Sequence, residues 1–139
     1  MQLNCYLNFD GQCAAAFQFY ERCFGGKIQM MATFGESPMA QQVAPESRNQ
    51  IVHVTLAVGD SILMGCDAPP PHYQKPQGFS VQVGLDDPAD AERLFQALSE
   101  NGTIRMPLQE TFWAARFGML VDRFGTPWMI NCRQSAEEM

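Results

Sequence analysis

Three side chains are of types that could carry out acid–base chemistry beside apolar residues. His53 lies in the run IVHVTLAV (51–58), and Glu36 and Glu110 lie in the segments FGES and QETFW. An imidazole titrates near neutral pH, and a carboxyl group against aromatic rings can have a raised pKa, so each could act as a general acid or base. The sequence therefore predicts His53, with Glu36 or Glu110, as candidate catalytic residues. The alternatives are a half-buried structural histidine and solvated turn carboxylates.

The cysteines and the second histidine do not predict a further centre. The five cysteines are odd in number and lack C-x-x-C spacing, which favours reduced thiols over a disulfide framework or a zinc site. His72 lies in the Pro-rich segment PPPHYQKP and does not build a metal cluster with one other histidine. No Gly-rich nucleotide loop, P-loop or G-x-S-x-G motif is present, so nucleotide-dependent methyl transfer and serine hydrolysis have no support. No cofactor is predicted, and a divalent metal ion stays an open alternative.

Composition narrows the class of protein. With 139 residues, 46% hydrophobic and 17% charged, the chain is expected to be one globular domain. A net charge of −6 argues against nucleic-acid binding, which needs clustered Lys and Arg. No apolar run of 18 residues predicts a membrane span, and the N-terminal residues do not resemble a signal peptide. A cytoplasmic location is therefore expected.

Two segments, 12–24 and 88–100, have apolar residues at the i, i+3, i+4 spacing of amphipathic helices. The glycine at Gly25 is typical of a helix end. Asp87 followed by Pro88 is typical of a helix start, with a capping side chain and a first-turn proline. Strand-like runs surround both helices in the same order.

A repeat relates the two halves of the chain. A shift of 76 residues aligns the first strand and helix of each half, and a shift of 66 matches Gly59 with Gly125 and Cys66 with Cys132. The pattern predicts an α+β fold with tandem βαβββ modules that form a curved mixed sheet around a cavity. The expected parts of this single domain are module 1 at about 1–68, a Pro-rich connector at 69–77, module 2 at about 78–133 and a C-terminal tail at 134–139.

Alternation along the strands predicts two different faces for each sheet. One face is apolar and is expected under a helix, with Trp128 on it. The other face is polar but uncharged, which suggests a wall around a cavity or a partner. Trp113 is expected to border the cavity or a dimer contact. The predicted ligand-binding residues are Asn4, Asn8, Thr55, Ser80, Gln82, Trp113, Met129 and Asn131.

Four segments carry a resemblance to a known family: YLNFDGQCAAAFQFY (6–20), FGE (34–36), SILMGCDAP (61–69) and QETFWAARFGMLVDRFGTPWMIN (109–131). They resemble the PhnB-like branch, often labelled demethylubiquinone methyltransferase-like, of the vicinal oxygen chelate superfamily. That superfamily includes glyoxalase I, fosfomycin and bleomycin resistance proteins and extradiol dioxygenases. The resemblance implies a glyoxalase/bleomycin resistance-like fold and a homodimer.

The resemblance also implies where a metal ion would bind. Members of the superfamily usually place a His or Gln on the first strand of each module and a Glu on the last. Here those positions fall at Asn4 or Cys5, at Ser80 or Val81, at Leu63 (Met64 after a slip of one residue) and at Met129. Because none is a good ligand for a hard or borderline ion, the usual metal centre is expected to be missing.

Two classes of function follow. The first is a protein that binds a small apolar or amphipathic molecule in the sheet cavity without the usual metal centre. The second is a metal-dependent or rearranged-site lyase, isomerase or dioxygenase that uses His53 with Glu36 or Glu110. A small-molecule ligand and a second copy of the chain are the expected partners in either class.

Overall fold

The order strand, helix and three strands occurs twice along the chain. The computed structural model describes residues 1–69 and 71–134. The first set of elements is β1 (Cys5–Phe9), α1 (Cys13–Phe24), β2 (Lys27–Thr33), β3 (Ile51–Val58) and β4 (Ser61–Asp67). The second is β5 (Val81–Leu85), α2 (Pro88–Ser99), β6 (Thr103–Gln109), β7 (Ala114–Val121) and β8 (Pro127–Arg133).

The chain divides into two compact units, Met1–Lys75 and the part from Pro76 onward. Each unit has one four-stranded mixed sheet, in the order β1-β4-β3-β2 or β5-β8-β7-β6. In each sheet the first strand of the unit pairs in parallel with the last strand (β1/β4 and β5/β8), and the other pairs are antiparallel. The prediction of tandem βαβββ modules is confirmed. Of the expected C-terminal tail, residues 135–139 lie outside the described residues, as does position 70 of the connector.

The helix ends follow the signals in the sequence. Gly25 has a left-handed backbone (φ 67°), which a residue without a Cβ adopts readily, and its N–H bonds to the carbonyl of Glu21 at the end of α1. At the start of α2, the carboxylate of Asp87 accepts the N–H of Ala89 at 3.0 Å, and Pro88 is the first helical residue. Both predicted helices are therefore confirmed to within one residue at each end.

Each helix covers one face of its own sheet. In the first unit, Phe17 of α1 and the strand residues Leu7, Val54 and Leu56 are all at most 2% exposed, and the Phe17 ring packs edge-to-face on Phe9 of β1. Gly65 permits this close approach, because a Cβ at that position would lie 2.8 Å from the Phe17 ring.

The second unit repeats the arrangement. Its fully buried side chains include Leu98 from α2, Leu120 from β7, and Trp128, Ile130 and Cys132 from β8. The expectation that Trp128 belongs to the helix-side core is confirmed. The opposite face of each sheet carries no helix of its own unit.

A buried carboxylate stabilises each unit at a strand end. Asp67, 1% exposed, accepts the N–H of Cys13 at 3.0 Å and the N–H of Ile51 at 2.9 Å, so it joins the starts of α1 and β3 to the end of β4. Asp122 accepts the backbone N–H of Phe124 and the indole N–H of Trp128, both at 2.8 Å. Charge-assisted bonds of this kind offset the desolvation of a buried carboxylate.

The three short 3₁₀ segments of the first unit all lie between β2 and β3, at Phe34–Glu36, Ala40–Gln42 and Pro45–Ser47. Backbone bonds from Gly35 N–H to Arg48 and from Phe34 N–H to Gln50 close this loop at its base. None of the helices within residues 1–69 and 71–134 is long and apolar enough to span a membrane.

Replacing Asp67 by Ala removes the acceptor of two buried backbone N–H groups. We expect Asp67→Ala to lower the free energy of unfolding by about 3 kcal/mol, because hydrogen bonds to charged groups contribute about 1.5–3 kcal/mol each and the donors stay buried. Urea unfolding followed by circular dichroism measures the change. Asp60→Ala, at an exposed turn residue, is the matched control and should change the unfolding free energy by less than about 0.5 kcal/mol. Equal effects of the two substitutions would contradict the role of Asp67.

Candidate functional site

We call the sheet face opposite the helix the helix-free face of each unit. In the first unit it is built from two rows of residues that the strand register places side by side. One row is Tyr6, Met64, Thr55 and Met30, and the next row contains Asn8, Cys66, His53 and Ala32. Asn8, His53 and Thr55 are thus brought together as predicted, whereas Asn4 precedes the first residue of β1 and is exposed.

A chain of hydrogen bonds runs along this face. The Tyr6 hydroxyl lies 3.1 Å from His53 Nδ1, and His53 Nε2 lies 3.0 Å from the Thr55 hydroxyl. The Cys66 thiol donates to Asn8 Oδ1 at 3.3 Å. Because either tautomer of His53 satisfies both its neighbours, one of the two hydroxyl groups keeps a proton to donate to a bound molecule.

The Tyr6 phenol and the Cys66 thiol on this face both keep their protons. Burial, and after it the hydrogen bond to Cys66, raises the pKa of Tyr6 far above its ordinary value. Burial also raises the pKa of the Cys66 thiol. A protonated phenol and a protonated thiol are weak nucleophiles but good hydrogen-bonding groups. The arrangement therefore fits recognition of a polar group better than covalent catalysis.

The carboxylates expected to assist His53 have other surroundings. Glu36 accepts the N–H and the hydroxyl of Thr33 at 3.0 and 2.9 Å, in a capping box of the first 3₁₀ segment. These two bonds lower its pKa, so the expectation of a raised pKa for Glu36 is wrong. Glu110 is exposed and follows the last residue of β6. Within residues 1–69 and 71–134, neither carboxylate is hydrogen-bonded to His53.

The helix-free face of the second unit is lined by methionine. The register aligns Gln82, Met129, Met119 and Met106 in one row, and Gly84, Asn131, Phe117 and Gln109 in the next. Gln82, Met129 and Asn131 are thus on one face as predicted. Ser80 precedes the first residue of β5.

The methionines as a group lie away from the core. The chain has nine, and each of the eight in the described part is half-buried or exposed. Methionine usually serves as an adaptable filler of irregular core space. Five of the eight lie on the helix-free faces, where their flexible side chains form an apolar lining that can adjust its shape: Met30, Met64, Met106, Met119 and Met129.

Aromatic rings extend the second helix-free face at its edge. Trp113 lies 5.3 Å from Phe117 and 4.8 Å from Phe112, measured between ring centroids, and both pairs are edge-to-face. Trp113 is 49% exposed and Phe112 is 90% exposed. Edge-to-face contacts leave ring faces free for stacking on another molecule. Trp113 thus borders the predicted surface, unlike the buried Trp128.

The strand register corrects one detail of the repeat. Cys5 pairs with Leu63 in the first unit and its equivalent Val81 pairs with Trp128 in the second, so Met64 is the equivalent of Met129. Leu63, expected at the metal-ligand position, is 8% exposed and belongs to the core. By the same count Cys66 corresponds to Asn131 and not to Cys132.

These positions do not fit the metal centre of the superfamily. The equivalent residues on the two last strands are the thioethers Met64 and Met129, which neighbour Tyr6 and Gln82 on the adjacent strands. A thioether cannot supply the charge that offsets dehydration of a hard or borderline divalent ion. Within residues 1–69 and 71–134, no group of three or more His, Cys, Asp or Glu side chains could hold a metal ion.

Comparison with known proteins identifies the family of this chain. The model of the family described as 3-demethylubiquinone-9 3-methyltransferase matches residues 2–131. The Escherichia coli (strain K12) protein YjdN is 35% identical over 139 residues, which cover 94% of this chain and 95% of that protein.

Solved structures match the fold over almost the whole chain. The crystal structure of protein PA1353 from Pseudomonas aeruginosa is 43% identical, covers 97% of this chain and 99% of its own, and has a TM-score of 0.89. The fosfomycin resistance protein FosX from Mesorhizobium loti is 10% identical, covers 99% and 94%, and has a TM-score of 0.62, which shows the shared fold. The chain therefore belongs to the 3-demethylubiquinone-9 3-methyltransferase-like, PhnB-like family, and it has the glyoxalase/bleomycin resistance-like fold.

Proposed function

We propose that this protein binds a small amphipathic molecule on the helix-free faces of its sheets, without the metal centre usual in its superfamily. The observation that carries the proposal is the position of the methionines. Met64, Met119 and Met129 lie on these faces and outside the core. A soluble protein gains no stability from apolar side chains left at its surface, so such faces usually bind a ligand or a partner.

Polar groups on the same faces could form hydrogen bonds with the ligand. Thr55, His53 and Tyr6 offer hydroxyl and imidazole groups beside Met64, and Gln82 offers an amide beside Met129. A ligand surface that is mainly apolar with a few placed polar groups is typical of small-molecule sites. The expected ligand therefore has an apolar body and at least one hydrogen-bonding group.

A second candidate is a rearranged acid–base site at His53. The observation that favours it is the pair of hydrogen bonds from the imidazole to Tyr6 and Thr55, which orient the ring on the helix-free face. An oriented imidazole is the usual general base of enzymes. Glu36 does not support this candidate, because its pKa is lowered and its carboxylate is bonded to Thr33. Glu110 stays the proposed carboxylate of this second candidate.

The homodimer and the cytoplasmic location expected from the sequence remain proposals. The family resemblance supports the homodimer. Cysteines without disulfide bonds support a reducing compartment, since all five are free thiols here.

A neutral amphipathic dye tests the main proposal. We expect N-phenyl-1-naphthylamine to bind saturably, with enhanced fluorescence, and the double substitution Met64→Lys/Met129→Lys to weaken binding by about tenfold or more, since each lysine puts a hydrated charge against the apolar body. Met39→Lys changes an exposed methionine in the loop between β2 and β3 and should bind the dye like the unmodified protein. Absence of saturable binding by the unmodified protein would refute the proposal.

Metal titration tests the missing centre. Isothermal calorimetry with Zn²⁺, Ni²⁺, Mn²⁺ and Fe²⁺ at neutral pH should show no tight stoichiometric binding, because the ligand positions hold thioethers and not carboxylates. The dye affinity should be the same before and after treatment with a chelator. One tight site per chain, lost on chelation, would contradict the proposal.

Substitution of His53 separates the two candidate functions. His53→Ala removes the central group of the hydrogen-bond chain, and we expect about a five- to tenfold loss of affinity for a ligand that bonds to this chain, equal to the loss of one or two neutral hydrogen bonds. Tyr6→Phe keeps the ring and should have a smaller effect. Unchanged ligand affinity in both variants would show that the first unit does not contribute to ligand binding. A turnover that disappears in His53→Ala with unchanged ligand affinity would favour the acid–base candidate.

A further inference from the structure

One pair of neighbouring residues on the helix-free face has different hydrogen bonding in the two units. In the first unit Asn8 of β1 lies beside Cys66 of β4, and the thiol donates to the Asn8 carbonyl oxygen at 3.3 Å. In the second unit the same register places Gly84 of β5 beside Asn131 of β8. The residue that corresponds to Asn8 therefore has no side chain, and its neighbour is a carboxamide.

Neither the backbone nor the packing requires glycine at position 84. Gly84 is not among the glycines with positive φ, and a Cβ built on it meets nothing within 4 Å. By contrast, a Cβ at Gly65 or Gly118 would lie under 3 Å from an aromatic ring of the overlying helix. A strand glycine without a structural reason often marks a place where a ligand approaches the backbone. Gly84 leaves an open place on the helix-free face.

Asn131 has a polar atom without a partner next to this place. Its Oδ1 is shielded from solvent and accepts no hydrogen bond within residues 1–69 and 71–134. Buried polar atoms in native proteins are almost always paired, so an unpaired one needs an explanation. Because Oδ1 is shielded from solvent, a donor over Gly84 reaches it once the Asn131 side chain rotates toward Gly84, and the spacing of about 4.8 Å between adjacent strands permits that bond.

Aromatic rings lie on the other side of Asn131. Phe117 of β7 is its neighbour in the ladder, and Trp113 contacts Phe117 with 5.3 Å between ring centroids. The open place, the unpaired oxygen and the aromatic rings thus lie on the same sheet face. Flat ring faces next to a single unpaired acceptor match a planar molecule with a donor at its edge.

Building on the ligand-binding function proposed above, we propose that the second unit binds a planar aromatic molecule with an N–H or O–H group. The donor lies over Gly84 and bonds to Asn131 Oδ1, and the aromatic body lies against Phe117 and Trp113. Met129 and Met119, in the adjacent row, provide the adaptable apolar surface. No covalent step is involved.

The donor requirement is tested with two matched probes, 7-hydroxycoumarin and 7-methoxycoumarin. The unmodified protein should bind the hydroxyl compound about tenfold more tightly, since the methoxy compound cannot donate and leaves the buried acceptor unpaired. Quenching of Trp113 fluorescence measures binding, because Trp128 is buried at 1% exposure and Trp113 is 49% exposed. Equal affinities for the two probes, or no binding of either, would overturn the inference.

Three substitutions locate the site. Gly84→Ala and Gly84→Val fill the open place and should weaken 7-hydroxycoumarin binding progressively, by about tenfold or more for valine, while thermal stability is kept or raised because glycine is unfavourable within a strand. Asn131→Leu removes the acceptor and should abolish the preference for the hydroxyl probe. Ser61→Thr adds one methyl group at an exposed strand position of the first unit and should change neither affinity.

The outcome also separates this inference from the broader proposal. If N-phenyl-1-naphthylamine binds as expected but the Gly84 and Asn131 variants keep the full coumarin preference, the ligand class is wrong and the ligand-binding function stands. If the variants lose the preference with unchanged thermal unfolding, the inference is supported. A loss of coumarin binding that only accompanies unfolding in all three variants would overturn it, since these positions would then be structural.

Discussion

The main constraint on this molecule is that each four-stranded sheet has two faces and each unit has only one helix to cover one of them. The covered face buries the aromatic and aliphatic side chains that stabilise the unit, such as Phe17, Leu56 and Trp128. The buried residues of each 12-residue helix belong to that covered face. The side chains on the opposite face must be stable beside water or beside a bound molecule, and this requirement makes that face the place where function can develop.

The polar groups buried beside the covered faces contribute to stability. The carboxylates Asp67 and Asp122 are both buried, and both accept N–H groups that would otherwise be unpaired at the starts of α1 and β3, in the turn after β7 and on the Trp128 indole. The helix-free faces follow a different rule. Their polar groups include a hydrogen-bonded chain through His53 in one unit and the unpaired Asn131 Oδ1 in the other. The two units therefore share the same kind of buried core and differ in the polar groups of their helix-free faces.

Much of the fold could be predicted from the sequence, because it depends on local signals. Alternation, helix periodicity, Gly25 and the pair Asp87-Pro88 each act within a few residues. The repeat offset was wrong in the last strands because the connections differ: two residues join β3 to β4, whereas residues 122–126 join β7 to β8. A slip of one residue exchanges the faces of a strand, which is why Leu63 was mistaken for the equivalent of Met129.

The site was less predictable, because its chemistry depends on contacts between distant residues. The exception is Glu36, for which the T-x-x-E spacing of a capping box with Thr33 was present in the sequence and would have predicted a lowered pKa, but was not recognised. The role of Asp67 was missed entirely, since its two donors lie 54 and 16 residues away.

The thioethers of Met64 and Met129 determine what this part of each helix-free face can hold. At the equivalent positions Met64 and Met129, a carboxylate would face Tyr6 and Gln82 and would need a cation to be stable on a partly buried face. A thioether needs no counter-charge, and it adds an apolar surface that adapts to different shapes. Thioethers at these two positions make this part of each helix-free face apolar, where carboxylates would make it charged. On an apolar surface few polar contacts compete with an unpaired acceptor such as Asn131 Oδ1, so we expect that acceptor to decide which donor groups bind.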